Sequence, residues 1–198
     1  MRPIILASAS PRRKEILEKA GLKVKVDAGV YEEEMCSRVS PRSLARFLSA
    51  EKARAVAKRY RNAVIIAADT FIVFRKRILG KPHTKDEARK MLGTLSGRAH
   101  LVITGFTILD TGANRKVSRS VVTKVFFRKV TPGQINAYVE SGEPLDKAGA
   151  YAIQGLGSAI VRRIEGDYFN VVGLPVSSLL EELKKFGIHV LKQGKKKC

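Results

Sequence analysis

Apolar positions in this chain fall into two patterns. Short solid runs suit strands buried on both faces. Apolar residues three or four apart suit helices with one buried face. Residues 4–7 form the first solid run, and Ser8-Ala9-Ser10-Pro11 stops it. Ser10 followed by Pro11 is a helix start, a cap residue and then the position where proline fits. That helix carries Ile16, Leu17 and Ala20 on one face and ends at Gly21. A second short strand is predicted at 24–26. Ser40-Pro41 repeats the helix start, with Leu44, Phe47, Leu48 and Val56 on the apolar face and Glu51 and Lys52 alongside. The run AVIIAA (63–68) is a buried strand that delivers Asp69 and Thr70 at its end, and 71–74 continue as β structure.

A basic hairpin tip (75–77) and Leu79-Gly80-Lys81-Pro82 follow. Thr84 and Glu87 form a capping box for a helix through Ala88, Met91, Leu92 and Leu95, and Ser96-Gly97-Arg98 is the turn out. Residues 100–109 read as a long strand, Gly112-Ala113-Asn114 as a tip and 120–127 as the return. Thr131-Pro132-Gly133-Gln134 starts a helix through Ile135, Tyr138 and Val139, which feeds the glycine-rich stretch SGEPLDKAGAYAIQGLG (141–157). A strand at 159–164, a turn at Glu165-Gly166-Asp167, a strand at 169–172 and a helix from Pro175 burying Leu179, Leu180 and Leu183 complete the chain. The product is an α/β fold, with a mixed sheet built on a long central antiparallel ribbon flanked by helices. No repeat, low-complexity linker or internal boundary interrupts it. We read a single domain at 1–190 and a basic tail at 191–198.

Bulk composition narrows the class. The chain has 198 residues, 44% hydrophobic and 28% charged, as expected of one soluble globular domain. No apolar run reaches the roughly 18 residues of a membrane span, and the N-terminal apolar patch is too short for a signal peptide. The expected location is therefore cytoplasmic, without membrane contact. Cys36 and Cys198 make neither a disulfide framework nor a zinc pattern. His83, His100 and His189 lack ligand spacing and read as surface or packing residues. The net charge of +20 favours anionic partners. Nucleic acid is one such partner but is not favoured. The basic residues are diffuse, and the one compact run, 192–197, has no interleaved aromatics.

Chemistry gathers at turns. Arg12 and Arg13 lie in the first turn of a helix, where cations oppose the dipole unless an anion binds. Strand, Ser-rich turn and helix N-terminus together make the layout of a phosphate site. The acidic run Glu32-Glu33-Glu34 is either a solvated turn or a magnesium site. Beyond 141 the glycines (142, 149, 155 and 157) are either a long turn or bare backbone brought close to a ligand. Glu143 and Asp146 remain open as metal ligands, as partners that orient Lys147, or as turn residues. Ser8, Ser10, Arg12, Arg13, Lys52, Asp69, Lys81, Lys147 and Gln154 supply cations, a carboxylate and polar groups. Phosphoryl chemistry needs this mixture. No Walker A motif is present, which argues against a P-loop enzyme.

Seven ordered blocks carry a family resemblance: LASASPRR (6–13), EKA (51–53), AADT (67–70), LGKP (79–82), LSGR (95–98), the 141–157 stretch and NVVGLP (170–175). The chain resembles the Maf proteins, nucleoside triphosphate pyrophosphatases. Its DKAGAYAIQG block is similar to that of the subgroup preferring dTTP and UTP. The resemblance implies hydrolysis between the α and β phosphates, giving a monophosphate and pyrophosphate. It implies Asp69 as general base, with Lys52 and Lys81 in the catalytic set. Arg12, Thr70 and Gln154 match positions tied to base selectivity. Ser8, Ser10, Arg13 and Lys147 belong with the substrate-binding set. A divalent cation, Mg²⁺ or Mn²⁺, is implied on Asp69 and Glu33, with Glu32 and Glu34 open. The implied fold has two lobes around a cleft, as in Maf and inosine triphosphatase-like proteins, often as a homodimer. The alternative is a basic nucleic-acid-binding or cell-division regulatory protein without turnover.

Overall fold

The computed structural model describes residues 2–29 and 39–191. The acidic run Glu32-Glu33-Glu34, Cys36 and the chain from residue 192 onward lie outside the described residues. One seven-stranded mixed sheet organises the rest. Its strands are β1 (Ile4–Leu6), β2 (Val24–Val26), β3 (Val64–Phe74), β4 (Arg77–Leu79), β5 (Ala99–Asp110), β6 (Arg115–Phe127) and β7 (Val161–Glu165). They stand in the order β2-β1-β3-β5-β6-β7, with β4 beside β3. Helix α1 (Pro11–Lys19) joins β1 to β2 and α2 (Pro41–Ala57) joins β2 to β3. Such crossovers permit the parallel pairing of β1 with β2 and β3. Every pairing after β3 is antiparallel, and β5 with β6 makes the long ribbon. Helices α3 (Lys85–Leu95), α4 (Pro132–Glu140), α5 (Tyr168–Val172) and α6 (Val176–Lys184) complete the fold.

The period-2 rule divides the core into two faces. Leu6, Ile66, Ala68, Phe106 and Ile108 pack with Leu17, Leu179 and Leu183 of α1 and α6. Further along that face, Ile72, Val102 and Val125 meet Leu92, Leu95, Ile135 and Val139 of α3 and α4. The opposite face, with Ile65, Ala67, Phe71 and Ile103, lies under α2. Helix α2 sits so close to the sheet that a Cβ on Gly105 would come within 2.0 Å of the Ala45 carbonyl oxygen. Only glycine allows that approach.

Strand β3 is the pivot. β5 covers one of its edges from position 64 to 73. On the other edge β1 covers 64–66 and β4 covers 72–74. Among the described residues the edge is therefore open between them, at 67–71.

The structure departs from the sequence pattern in several places. Asp69 is interior to an eleven-residue strand, not at its end. It lies instead beyond the carboxyl end of β1, the parallel neighbour of β3. Residues 169–172 are not a strand but the helical turn α5. The Asp167 side chain caps this turn by accepting from Asn170 N at 3.1 Å, and Gly173 at φ 123° ends it. A single helical turn is too short to show a 3.6 period, so the apolar FNVV reads as β. β7 starts at Val161 because 155–159 form a 3₁₀ turn, and β6 starts earlier than expected, at Arg115. The Thr84 hydroxyl caps α3 through Glu87 N, but the Glu87 carboxylate accepts from His83 N rather than closing a box. The box at Thr131 and Gln134 is complete. Phe47 is exposed on α2.

Candidate active site

The open edge of β3 is framed by Ser8-Ala9-Ser10 after β1 and by Gly80-Lys81-Pro82 after β4. Asp69 and Thr70 sit inside this slot, pointing to opposite faces of the sheet as neighbours in a strand must. On the α2 face, the Lys52 ammonium pairs with Asp69 Oδ1, both side chains being largely buried. No donor among the described residues pairs with Asp69 Oδ2. Lys52 reaches this carboxylate because α2 packs across β3 and β5.

On the other face, Arg13 from the first turn of α1 closes a polar knot. Its Nε donates to the Gly173 carbonyl at 2.9 Å, Nη1 to Ser8 Oγ at 3.0 Å and Nη2 to Thr70 Oγ1 at 3.1 Å. Ser8 Oγ also accepts from Ser10 N at 3.2 Å. Ser10 is at the cap position of α1, but its hydroxyl makes no capping bond. Thr70 Oγ1 lies 2.9 Å from Thr104 Oγ1, and Thr104 donates to the Asn170 carbonyl at 3.0 Å. Asn170 is fully buried and donates through Nδ2 to Val102 O at 3.1 Å and Thr123 Oγ1 at 2.9 Å. Serine, arginine, threonines and asparagine thus form one continuous string from the slot into α5. Thr104, Asn170 and the Gly173 carbonyl were missed from sequence. The available signal was a lone Asn inside an otherwise apolar NVVGLP run.

The glycine-rich stretch folds as three short 3₁₀ turns, Glu143–Asp146, Ala148–Ala150 and Gly155–Ala159. Gly149 N donates to Gly80 O at 2.8 Å, which ties this loop to the slot. Gly149 has φ 67°, and a Cβ there would meet Ile72 Cδ1 at 2.3 Å. The loop is held by Glu143, whose carboxylate accepts from Tyr138 OH at 2.8 Å, Leu156 N at 3.0 Å and Gly157 N at 3.1 Å. Burial pushes the Glu143 carboxyl up, but these three donors and the Lys147 ammonium outweigh it and hold the group below its ordinary value. The same balance holds Asp146 low: burial opposes, while Lys147 and Arg12 prevail. Lys147 pairs with Asp146. So Glu143 is a loop brace and Asp146 the partner of Lys147.

Arg12 and Gln154 both line a pocket of about 300 Å³, together with Ile16, Val172, Leu180 and Phe169. Lys81 is exposed beside the slot and makes no ion pair among the described residues. Glu33 lies outside the described residues. Among those described, no group of three or more His, Cys, Asp and Glu side chains is arranged to hold a metal ion. His100 is a packing residue: it is buried, with Nε2 2.7 Å from Tyr151 OH and edge-on contacts to Phe127 and Tyr151.

One carboxylate on an open strand edge, paired with Lys52 on one face and backed by the Arg13 knot on the other, gives the slot its polar character. A mixed α/β frame carries it. Residues 3–186 match the model of the Maf-like proteins, and the chain belongs to that family. It is 50% identical over 195 residues to a dTTP/UTP pyrophosphatase of Methanosarcina barkeri, covering 98% of this chain and 99% of that one. It is 47% identical over 190 residues to a dTTP/UTP pyrophosphatase of Bacillus anthracis, covering 96% and 98% of the two chains. A dTTP/UTP pyrophosphatase of Desulforamulus reducens is 44% identical over 191 residues, covering 96% of this chain and all of the relative.

Proposed function

We propose that this protein hydrolyses dTTP and UTP to the nucleoside monophosphate and pyrophosphate. The observation that carries the reading is the Lys52–Asp69 pair on the open edge of β3. It stands in a chain up to 50% identical to relatives named for this activity. A water oxygen bonds to the α phosphorus, the bond from that phosphorus to the α–β bridging oxygen breaks, and pyrophosphate leaves with the bridging oxygen and the electron pair. Asp69 accepts the proton of that water, and Lys52 fixes the carboxylate by holding Oδ1. A group placed in this way contributes about 10²–10⁴-fold to rate. Arg13, Ser8, Ser10, Lys81 and Lys147 bind the phosphate chain, and their charge offsets that developing on the leaving group. Arg12, Thr70 and Gln154 act on the base. Thr70 does so from within the protein, since its hydroxyl is already engaged with Arg13 and Thr104.

A divalent cation fits this donor set. Mg²⁺ is usually held by one or two carboxylates together with substrate phosphates and water. Asp69 offers one carboxylate, and Glu33 of the acidic run is our choice for the second. Bound there, Mg²⁺ or Mn²⁺ would neutralise phosphate charge and make water more acidic. The enzyme is expected to act as a homodimer in the cytoplasm.

A panel of nucleoside triphosphates with Mg²⁺ or Mn²⁺, read by product identity, tests the reading. Pyrophosphate and the monophosphate are expected from dTTP and UTP, with Asp69→Asn lowering kcat by at least about 100-fold. Release of orthophosphate, or full turnover by Asp69→Asn, would overturn it.

A further inference from the structure

The pocket that joins Arg12 to Gln154 has one aromatic residue on its wall, Phe169. Phe169 is 44% exposed although it belongs to α5, one of the most firmly tied turns in the fold. Asn170, next in sequence, is fully buried and bonded to β5 and β6 through Val102 O and Thr123 Oγ1. The Phe169 carbonyl accepts from Gly173 N at 3.0 Å and Leu174 N at 2.9 Å. Tyr168 packs edge-on against the Phe169 ring, with centroids 5.5 Å apart. A half-exposed phenyl ring is thus carried on a tied backbone and lines the cavity. Of the four polar residues on the same wall, Glu15 and Lys19 pair with each other at 2.6 Å, which leaves Arg12 and Gln154 to suit the edge of a pyrimidine. Arg12 only donates hydrogen bonds, while the Gln154 amide both donates and accepts. A ligand with carbonyl and imide groups on its rim and an apolar π face satisfies all three at once.

We propose that Phe169 is a substrate-binding residue whose ring stacks on the pyrimidine base. This assignment rests on the nucleotide pyrophosphatase reading and adds to it a contact with the base plane. Arg12 and Gln154 meet the base edge, and Phe169 meets its face. The placement also links the two ends of the nucleotide. Gly173, just past α5, carries the carbonyl that seats Arg13 Nε, so one short segment sets both the stacking surface and a phosphate-side arginine.

Steady-state kinetics with UTP and dTTP on Phe169→Ala, Phe169→Leu and Phe169→Trp test the assignment, with inhibition by inorganic pyrophosphate as a probe that lacks a base. Stacking of a base on an aromatic ring is worth about 5- to 150-fold in binding. Phe169→Ala is therefore expected to raise KM at least about fivefold, with kcat within about twofold. Phe169→Trp should restore KM, and Phe169→Leu, which keeps bulk but has no π face, should stay close to the alanine variant. The pyrophosphate inhibition constant should be unchanged in all three. If wild type turns over UTP while Phe169→Ala keeps the wild-type KM, stacking is overturned and the pyrophosphatase reading stands. A pyrophosphate inhibition constant that rises along with KM overturns stacking as well, because the damage then lies in the phosphate slot. No pyrophosphate from any nucleotide with the wild-type enzyme overturns the underlying reading, and the stacking role with it.

Discussion

Replacing Glu143 separates a structural carboxylate from a metal ligand. Its two oxygens accept three hydrogen bonds, one from Tyr138 OH and two from the backbone N–H groups of Leu156 and Gly157. Those N–H groups open the 3₁₀ turn that follows Gln154, so the side chain acts as a cap supplied from far along the chain. A hydrogen bond to a charged group contributes about 1.5–3 kcal/mol. Glu143 is only partly buried, so we take about 1 kcal/mol for each, or about 3 kcal/mol in all. Glu143→Gln presents an NH₂ group where only donors point, and Glu143→Ala removes every acceptor. For a chain of this size, each kcal/mol moves Tm by about 2–4 °C, so Glu143→Ala should melt about 6–12 °C lower at pH 7, and Glu143→Gln, which keeps one acceptor oxygen, about 2–8 °C lower.

The pH dependence gives a second check. Because the folded carboxyl is held below its ordinary value, its contribution is present above the unfolded pKa of roughly 4.3. It is lost as pH falls through the lower folded value. The difference in Tm between wild type and Glu143→Gln should therefore be constant from pH 7 to about 5 and shrink below about 4. Circular dichroism melts at each pH, with a Mg²⁺ titration of activity at a permissive temperature, complete the assay. An unchanged Tm together with a raised Mg²⁺ requirement would refute the brace and make Glu143 a metal ligand.

Two further outcomes follow from burial and backbone geometry. Burial lowers the pKa of His100 from 6.5 to about 4. The unfolded chain then takes up a proton that the folded protein refuses, and stability falls as pH drops from 6.5 to 4 by up to about 3 kcal/mol. His100→Phe should flatten the slope of Tm against pH in that window, and an unchanged slope would contradict the assignment. In the β3–β4 turn, Arg75 and Lys76 both adopt left-handed backbone, at φ 48° and 66°. This shape costs an L side chain about 1–2 kcal/mol. After the roughly 0.5–1 kcal/mol that glycine costs in backbone entropy, Lys76→Gly should raise Tm by about 2–4 °C without changing kcat, and a lower Tm would show that the Lys76 side chain makes a contact worth more than the strain.

How legible the molecule was depended on range. Cap residues set helix starts at Pro41, Lys85 and Pro132, because a cap is a local hydrogen bond between neighbours in sequence, whereas the start at Pro11 follows from the proline itself. The run AVIIAA revealed a strand buried on both faces. Seven short blocks pointed to the family and to Asp69, Lys52, Arg12, Arg13 and Gln154. Less visible was α5, because a single helical turn carries no periodicity and Asn170 is anchored by residues about 47 and 68 positions away. Glu143 stayed ambiguous for the same reason. A carboxylate is the same residue whether it binds a metal or caps a loop, and only its donors tell the two apart.

The sequence alone determined which chemistry was on offer: a basic chain, one carboxylate beside a buried strand, cations at turns, and a glycine-rich stretch with one amide. Tertiary structure decided where that chemistry meets. The slot exists because β1 stops at Leu6 and β4 begins pairing only at Ile72, leaving the edge of β3 open around Asp69 and Thr70. Strand alternation then sends those two neighbours to opposite faces, one toward Lys52 and the other into the Arg13 knot. An open edge is a property of strand pairing, and pairing joins residues dozens of positions apart. No local pattern encodes it.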